Sequence, residues 1–161
     1  AYNDAPTYIR IHRTQADTVF GADYRFKLGK ADVLRDGKDV VIFCSGIMVI
    51  RSLAAAELLA EQGIDAAVVN VHTLKPLDRE TILQYAAKCR AVVTAENHSV
   101  VGALGGAVAE LLGEECPTVM RRIGVKDRFG EVGKLDYLEK TFRMTPADVA
   151  EAAKSAVAAK N

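Results

Sequence analysis

Hydrophobic and polar positions along this chain fall into alternating short and long blocks from residue 26 onward. Residues 31–34 carry a short strand signal, followed by the turn sequence Arg35-Asp36-Gly37-Lys38. The run Val40 to Cys44 is apolar and β-branched, which predicts a strand buried on both faces. Ser45-Gly46 then opens a helix over residues 48–62, where Val49, Leu53, Ala56 and Ala60 recur at helical spacing and Gly63 is placed to end it.

The unit repeats down the chain. Strand signals at residues 66–71 and 91–95 each lead through a polar loop, 73–77 and 96–101, into helices at 79–88 and 103–112. Asp78 stands at an N-cap position, with Pro76 biasing Lys75 away from helical geometry. A further strand is predicted at 119–123, then a Gly-punctuated loop over 124–133 and a helix at 135–141. Thr145 caps a last Ala-rich helix with Pro146 in its first turn. Strands joined by helices imply right-handed crossovers and a mainly parallel sheet. The expected fold is therefore α/β: a three-layer α/β/α domain with a mainly parallel five-stranded sheet and one antiparallel edge strand.

The N-terminus breaks the pattern. Residues 8–13 alternate like a strand, then a polar, irregular stretch runs over 14–25. This reads as the tail of an earlier domain and a linker, or else as an edge strand behind a trimmed start. The boundary expected is residues 1–25 against a domain over 26–161.

Composition removes several classes of function. Of 161 residues, 50% are hydrophobic and 26% charged, which suits one ordered domain with a substantial core. A formal net charge of zero leaves no basic excess for gripping nucleic acid or an anionic membrane. No apolar run near membrane-spanning length and no signal-peptide pattern occur. Cys44, Cys89 and Cys116 are odd in number and widely spaced, which reads as a reduced, cytoplasmic protein.

Candidate chemistry concentrates where strands hand over to helices, since doubly wound sheets bind ligands beyond the carboxyl ends of their strands. Ser45-Gly46, the loop opening at His72, and Glu96-Asn97-His98-Ser99 converge there, making Ser45, Gly46, His72, Glu96 and His98 a candidate strand-end cleft. Strand ends carry polar turn residues in any such fold, so a structural reading stands beside it. Gly102-Ala103-Leu104-Gly105-Gly106 fits neither phosphate-binding glycine motif, and its small residues suit close helix packing. His12, His72 and His98 form no zinc-ligand spacing. Arg13 sits where the N-terminal strand ends, in a position to hold phosphate or carboxylate through its planar fork, or simply to face solvent.

Three phrases carry a resemblance: HTLKPLD, TAENHSVVGALGGAVAELL and RRIGVKDRFGEVGK. Together they resemble the C-terminal domain of transketolase, most closely the split bacterial and archaeal form, from about Ala31 to the final helix. The KPLD turn is shared with deoxyxylulose-phosphate synthase and the β subunits of 2-oxo-acid dehydrogenases, which stay open as alternatives. The resemblance implies an enzyme that moves a two-carbon ketol unit between sugar phosphates, using thiamine diphosphate and a divalent metal, Mg or Ca. It makes residues 1–25 the last strand of a pyrimidine-binding domain plus linker. It makes Arg13 the ligand of the substrate phosphate, with His12 beside it where other members often carry a small polar residue. It also implies that catalytic, cofactor and metal-binding residues lie in the pyrimidine- and pyrophosphate-binding domains, of the same or a separate chain, in a homodimer or heterotetramer. No cofactor would be bound by the C-terminal domain, whose work would be assembly. A non-catalytic interaction or ligand-sensing module is the reading from another class.

Overall fold

The apolar runs VVIFC and AAVVN lie side by side inside the sheet. In the computed structural model, which describes residues 5–9, 11 and 17–160, they are β2 (Val40–Cys44) and β3 (Ala66–Asn70), and all ten residues are buried. With β1 (Asp32–Arg35), β4 (Ala91–Ser99) and β5 (Val119–Val125) they make a five-stranded sheet of order β1-β3-β2-β4-β5. Every neighbouring pair is parallel except β1 with β3, so the one antiparallel strand lies at an edge as expected, though it pairs with β3 and not, as a hairpin turn at Gly37 would give, with β2.

Because strand side chains alternate between faces, each buried strand feeds two cores. Val40, Ile42 and Cys44 point to the face covered by α1 (Met48–Ala60) and α5 (Pro146–Ala159). Val41 and Phe43 point to the face covered by α2 (Arg79–Cys89) and α3 (Leu104–Glu115). This is the three-layer α/β/α arrangement. Burial of each such Val, Ile or Phe contributes about 1.5–3 kcal/mol, the main force holding helices to sheet.

The short helix α4 (Leu135–Thr141) has no buried residue and is held differently. Glu139 accepts from Arg51 Nε of α1 at 2.8 Å, an ion pair that is largely shielded from solvent on both sides. Thr145 and Asp148 then form a reciprocal capping box that starts α5.

The hinge residue Asp78 does more than cap. It accepts from the Thr81 N–H at 3.4 Å and the Thr81 hydroxyl at 2.9 Å, and also from the Ala31 N–H at 2.9 Å. Lys30 approaches it at 3.5 Å and reaches Glu80 at 3.0 Å. One side chain thus starts α2 and pins the segment that enters β1. The neighbouring Lys75–Pro76 bond is cis, and Gly29, at φ +75°, lies against the Pro76 ring, where a Cβ would stand 2.9 Å from Cγ.

Two expectations are corrected. The loop predicted over 96–101 is strand as far as Ser99, because β5 runs on to Val125 and offers its backbone groups a partner: Ser99 pairs with Val125, and Val100 donates to Val125 O at 3.0 Å. Helix α1 stops at Ala60, short of residue 62, and Gly63 takes the left-handed conformation that turns the chain (φ +75°). Of the strand predicted over residues 8–13, Tyr8, Ile9 and Ile11 are exposed and outside any strand, having no ladder partner among the described residues. Arg10, His12 and Arg13 lie outside the described residues.

Candidate functional site

The carboxyl ends of β2 and β3 adjoin each other, and β2 ends beside Ala95 in the interior of β4. Val71 N donates to Cys44 O at 2.8 Å and Ser45 N to Ala95 O at 3.2 Å, so the loops after β2 and β3 leave the sheet side by side, while β4 runs on to Ser99. Gly46 turns the chain from β2 into α1 in a left-handed conformation (φ +58°) that suits glycine. Ser45 therefore stands next to Ala95 in β4, one residue from Glu96.

The other three candidates face different tasks. Glu96 is buried, and its two oxygens accept the N–H groups of Leu104 at 2.9 Å and Gly105 at 2.7 Å. Ala103 at the N-cap has no side chain to offer α3, so a carboxylate seven residues upstream takes that role, favoured by the helix dipole. Gly105 allows the close approach: a Cβ there would stand 3.0 Å from Glu96 Oε1, Thr94 Oγ1 and Arg122 Cδ. This is the packing use of the glycine-rich stretch.

His72 turns toward the antiparallel edge. Its Nδ1 lies 2.7 Å from Thr73 Oγ1, its Nε2 3.7 Å from Asp32 Oδ2, and its ring packs on Phe26 at 4.6 Å. The same Asp32 oxygen accepts from Tyr24 at 3.0 Å and Asn70 at 3.2 Å. Burial, then the contact with Asp32, pushes the Tyr24 hydroxyl above its ordinary pKa. His98 is exposed on the extension of β4, its Nδ1 3.1 Å from Ser99 O. The fold thus brings Ser45 and Gly46 to the Glu96 strand, commits Glu96 to α3, and sends His72 and His98 to separate surroundings.

Asp32 and Asn70 escaped the sequence reading. The one available signal was Asn70, a polar residue ending an otherwise apolar strand. The thiols behave as packing groups. Burial pushes Cys44 up to about 12 and Cys89 up to about 11, far from a nucleophile's range. Among the described residues no helix is long and apolar enough to cross a membrane.

Fold and strand-end geometry define a three-layer α/β domain whose strand-end loops are tied by internal hydrogen bonds. The family described as "Transketolase, C-terminal domain" matches residues 29–149, and this chain belongs to it. It is similar to the 6-deoxy-6-sulfo-D-fructose transketolase subunit SqwH of Clostridium sp. (strain MSTE9), 52% identical over 99% of this chain and 49% of the relative. It is also similar to 1-deoxy-D-xylulose-5-phosphate synthase 1 of Geobacter sulfurreducens, 42% identical over 83% of this chain and 21% of that protein. A solved structure described as "Split gene transketolase, inactive beta4 tetramer" superposes with a TM-score of 0.89 at 44% identity, over 92% of this chain and 49% of that one. The chain spans about half the length of the sulfofructose transketolase subunit and of the split-gene transketolase, and 21% of the synthase.

Proposed function

We propose that this chain is the C-terminal part of a transketolase-type enzyme, moving a two-carbon ketol unit between sugar phosphates. The observation that carries the reading is its 52% identity, over nearly its whole length, to a transketolase subunit. On this reading residues 1–25 complete a pyrimidine-binding domain and lead into the C-terminal domain of residues 26–161. Thiamine diphosphate and its divalent metal belong to the pyrimidine- and pyrophosphate-binding domains, in the same or a separate chain, assembled as a homodimer or heterotetramer. The three free cysteines suit a cytoplasmic enzyme.

The described residues do not fit the metal. Among them no three His, Cys, Asp or Glu side chains converge, and the best-buried strand-end carboxylate, Glu96, is spent on α3. No step of the reaction is therefore assigned to them; the domain buttresses the assembly. Arg13 is the residue we assign to the substrate's terminal anion, with His12 beside it.

The relative's name also favours a second reading, in which the donor is a 6-deoxy-6-sulfo sugar and the same arginine holds a sulfonate. In the reconstituted enzyme, Arg13→Ala should raise KM for fructose 6-phosphate or its 6-sulfo analogue about tenfold or more, and hardly change KM for an unphosphorylated donor. Equal effects on charged and neutral donors would sink the assignment. Running the same assay with pyruvate as donor separates transketolase from deoxyxylulose-phosphate synthase chemistry.

A further inference from the structure

Beside β5, the outer strand of the sheet, lies a groove of about 700 Å³. Val100, Val101 and Met120 give it an apolar wall, and Arg121, Arg122 and Lys126 bring three cations against the single carboxylate of Asp127. Its size and its mixture of apolar wall and few convergent charges match a small-molecule site.

The strand builds this arrangement. Alternation turns Met120 and Arg122 toward α3, and Arg121 toward α5, where its Nε donates to Ser155 Oγ at 3.1 Å. Arg122 is held by its donation to Val100 O at 2.9 Å, and its stem packs beside Gly105. That bond uses one N–H of the guanidinium and leaves the rest of the fork free. Neither Arg122 nor Lys126 makes an ion pair among the described residues. A second groove of about 230 Å³ on the α5 face shares Arg121, Arg122 and Lys126. The carboxylates there, Asp148 and Glu151, are already matched by Arg143 at 3.0 and 2.5 Å. Glu96 Oε1 and the Arg122 stem flank the same side of Gly105, so three cations stand against the carboxylates of Asp127 and Glu96, and an excess of positive charge remains where the two grooves meet.

We propose that this groove binds a small amphiphilic anion, its apolar body on Val100, Val101 and Met120 and its phosphate or carboxylate head on Arg122 and Lys126. The site is independent of the Arg13 assignment and of the transferase reaction.

Isothermal titration of the protein at constant ionic strength tests it, with 1-naphthyl phosphate and 1-naphthoate as probes and inorganic phosphate and 1-naphthol as their halves. At least one charged naphthyl probe should bind saturably, and about tenfold or more tighter than either half alone. The tighter of the two identifies the head group. Arg122→Gln and Lys126→Gln should each weaken it about tenfold. Lys126 follows the strand, so its variant should melt like the parent and keep the test valid if Arg122→Gln perturbs β5. The proposal is overturned by absence of saturable binding, by inorganic phosphate binding as tightly as naphthyl phosphate, or by a folded Lys126→Gln protein that binds unchanged.

Discussion

Replacing Asp78 by Ala should uncouple the entry segment from the domain and weaken α2 in one step. The wild-type carboxylate caps α2 through the Thr81 N–H and hydroxyl and also receives the Ala31 N–H at 2.9 Å. Loss of an N-cap costs about 1 kcal/mol, and loss of a hydrogen bond to a charged acceptor about 1.5–3 kcal/mol. A total of roughly 2–4 kcal/mol follows, as the two contributions share one side chain and overlap. Asp78→Asn keeps one acceptor oxygen for the cap, so it should lose about half as much. Burial opposes ionisation of Asp78, but the hydrogen bonds from Ala31 and Thr81 and the charge of Lys30 outweigh it and hold the pKa below the usual carboxylate value. A depressed folded pKa makes the contribution complete above the unfolded value, about 3.9, and lost as pH falls through the folded one. The gap between wild type and Asp78→Asn should therefore be widest near neutrality and close below about pH 4. Urea unfolding across pH, with amide exchange at Ala31 and Thr81, measures both. A loss below about 0.5 kcal/mol for Asp78→Ala, or faster exchange at Thr81 alone, would refute the double role.

Gly105→Ala should cost about 1–3 kcal/mol by urea unfolding, because its Cβ would press on Glu96, Thr94 and Arg122 at 3.0 Å each. Gly37→Ala should cost more, since the methyl would stand 2.4 Å from backbone atoms of Ala66 and Ala67, which cannot rotate away; equal melting points for the two variants would contradict this. Against a disulfide reagent at pH 8, Cys116 should react first, with Cys44 and Cys89 slow until denaturant is added. Fast labelling of Cys44 in the native protein would show that its burial is not maintained.

Much of the fold was legible because local patterns and tertiary environment agree. The apolar runs of β2 and β3 read as buried strands and lie inside the sheet, whereas the turn at Gly37 did not show that β1 would pair with β3 instead of β2. Asp78 and Thr145 announced the two helices they cap. The site was less legible. Glu96 looked like a loop acid because sequence shows its neighbours Asn97 and His98, but not the bare helix end at Leu104 and Gly105 that it meets in space. His72 looked like part of a cleft, but its surroundings are Asp32 and Phe26, supplied by the segment strapped along the sheet edge.

The sequence by itself determined the order of strands and helices, their approximate ends and the family, because these rest on periodicity, caps and phrases written along the chain. The tertiary structure alone decided which polar groups are spent and which remain free. Hydrogen bonding and charge compensation depend on distances between residues far apart in sequence, such as Asp78 with Ala31 at 2.9 Å. That is why Glu96 became a helix cap, and why the free cations of Arg122 and Lys126 came to light only beside the folded edge of β5.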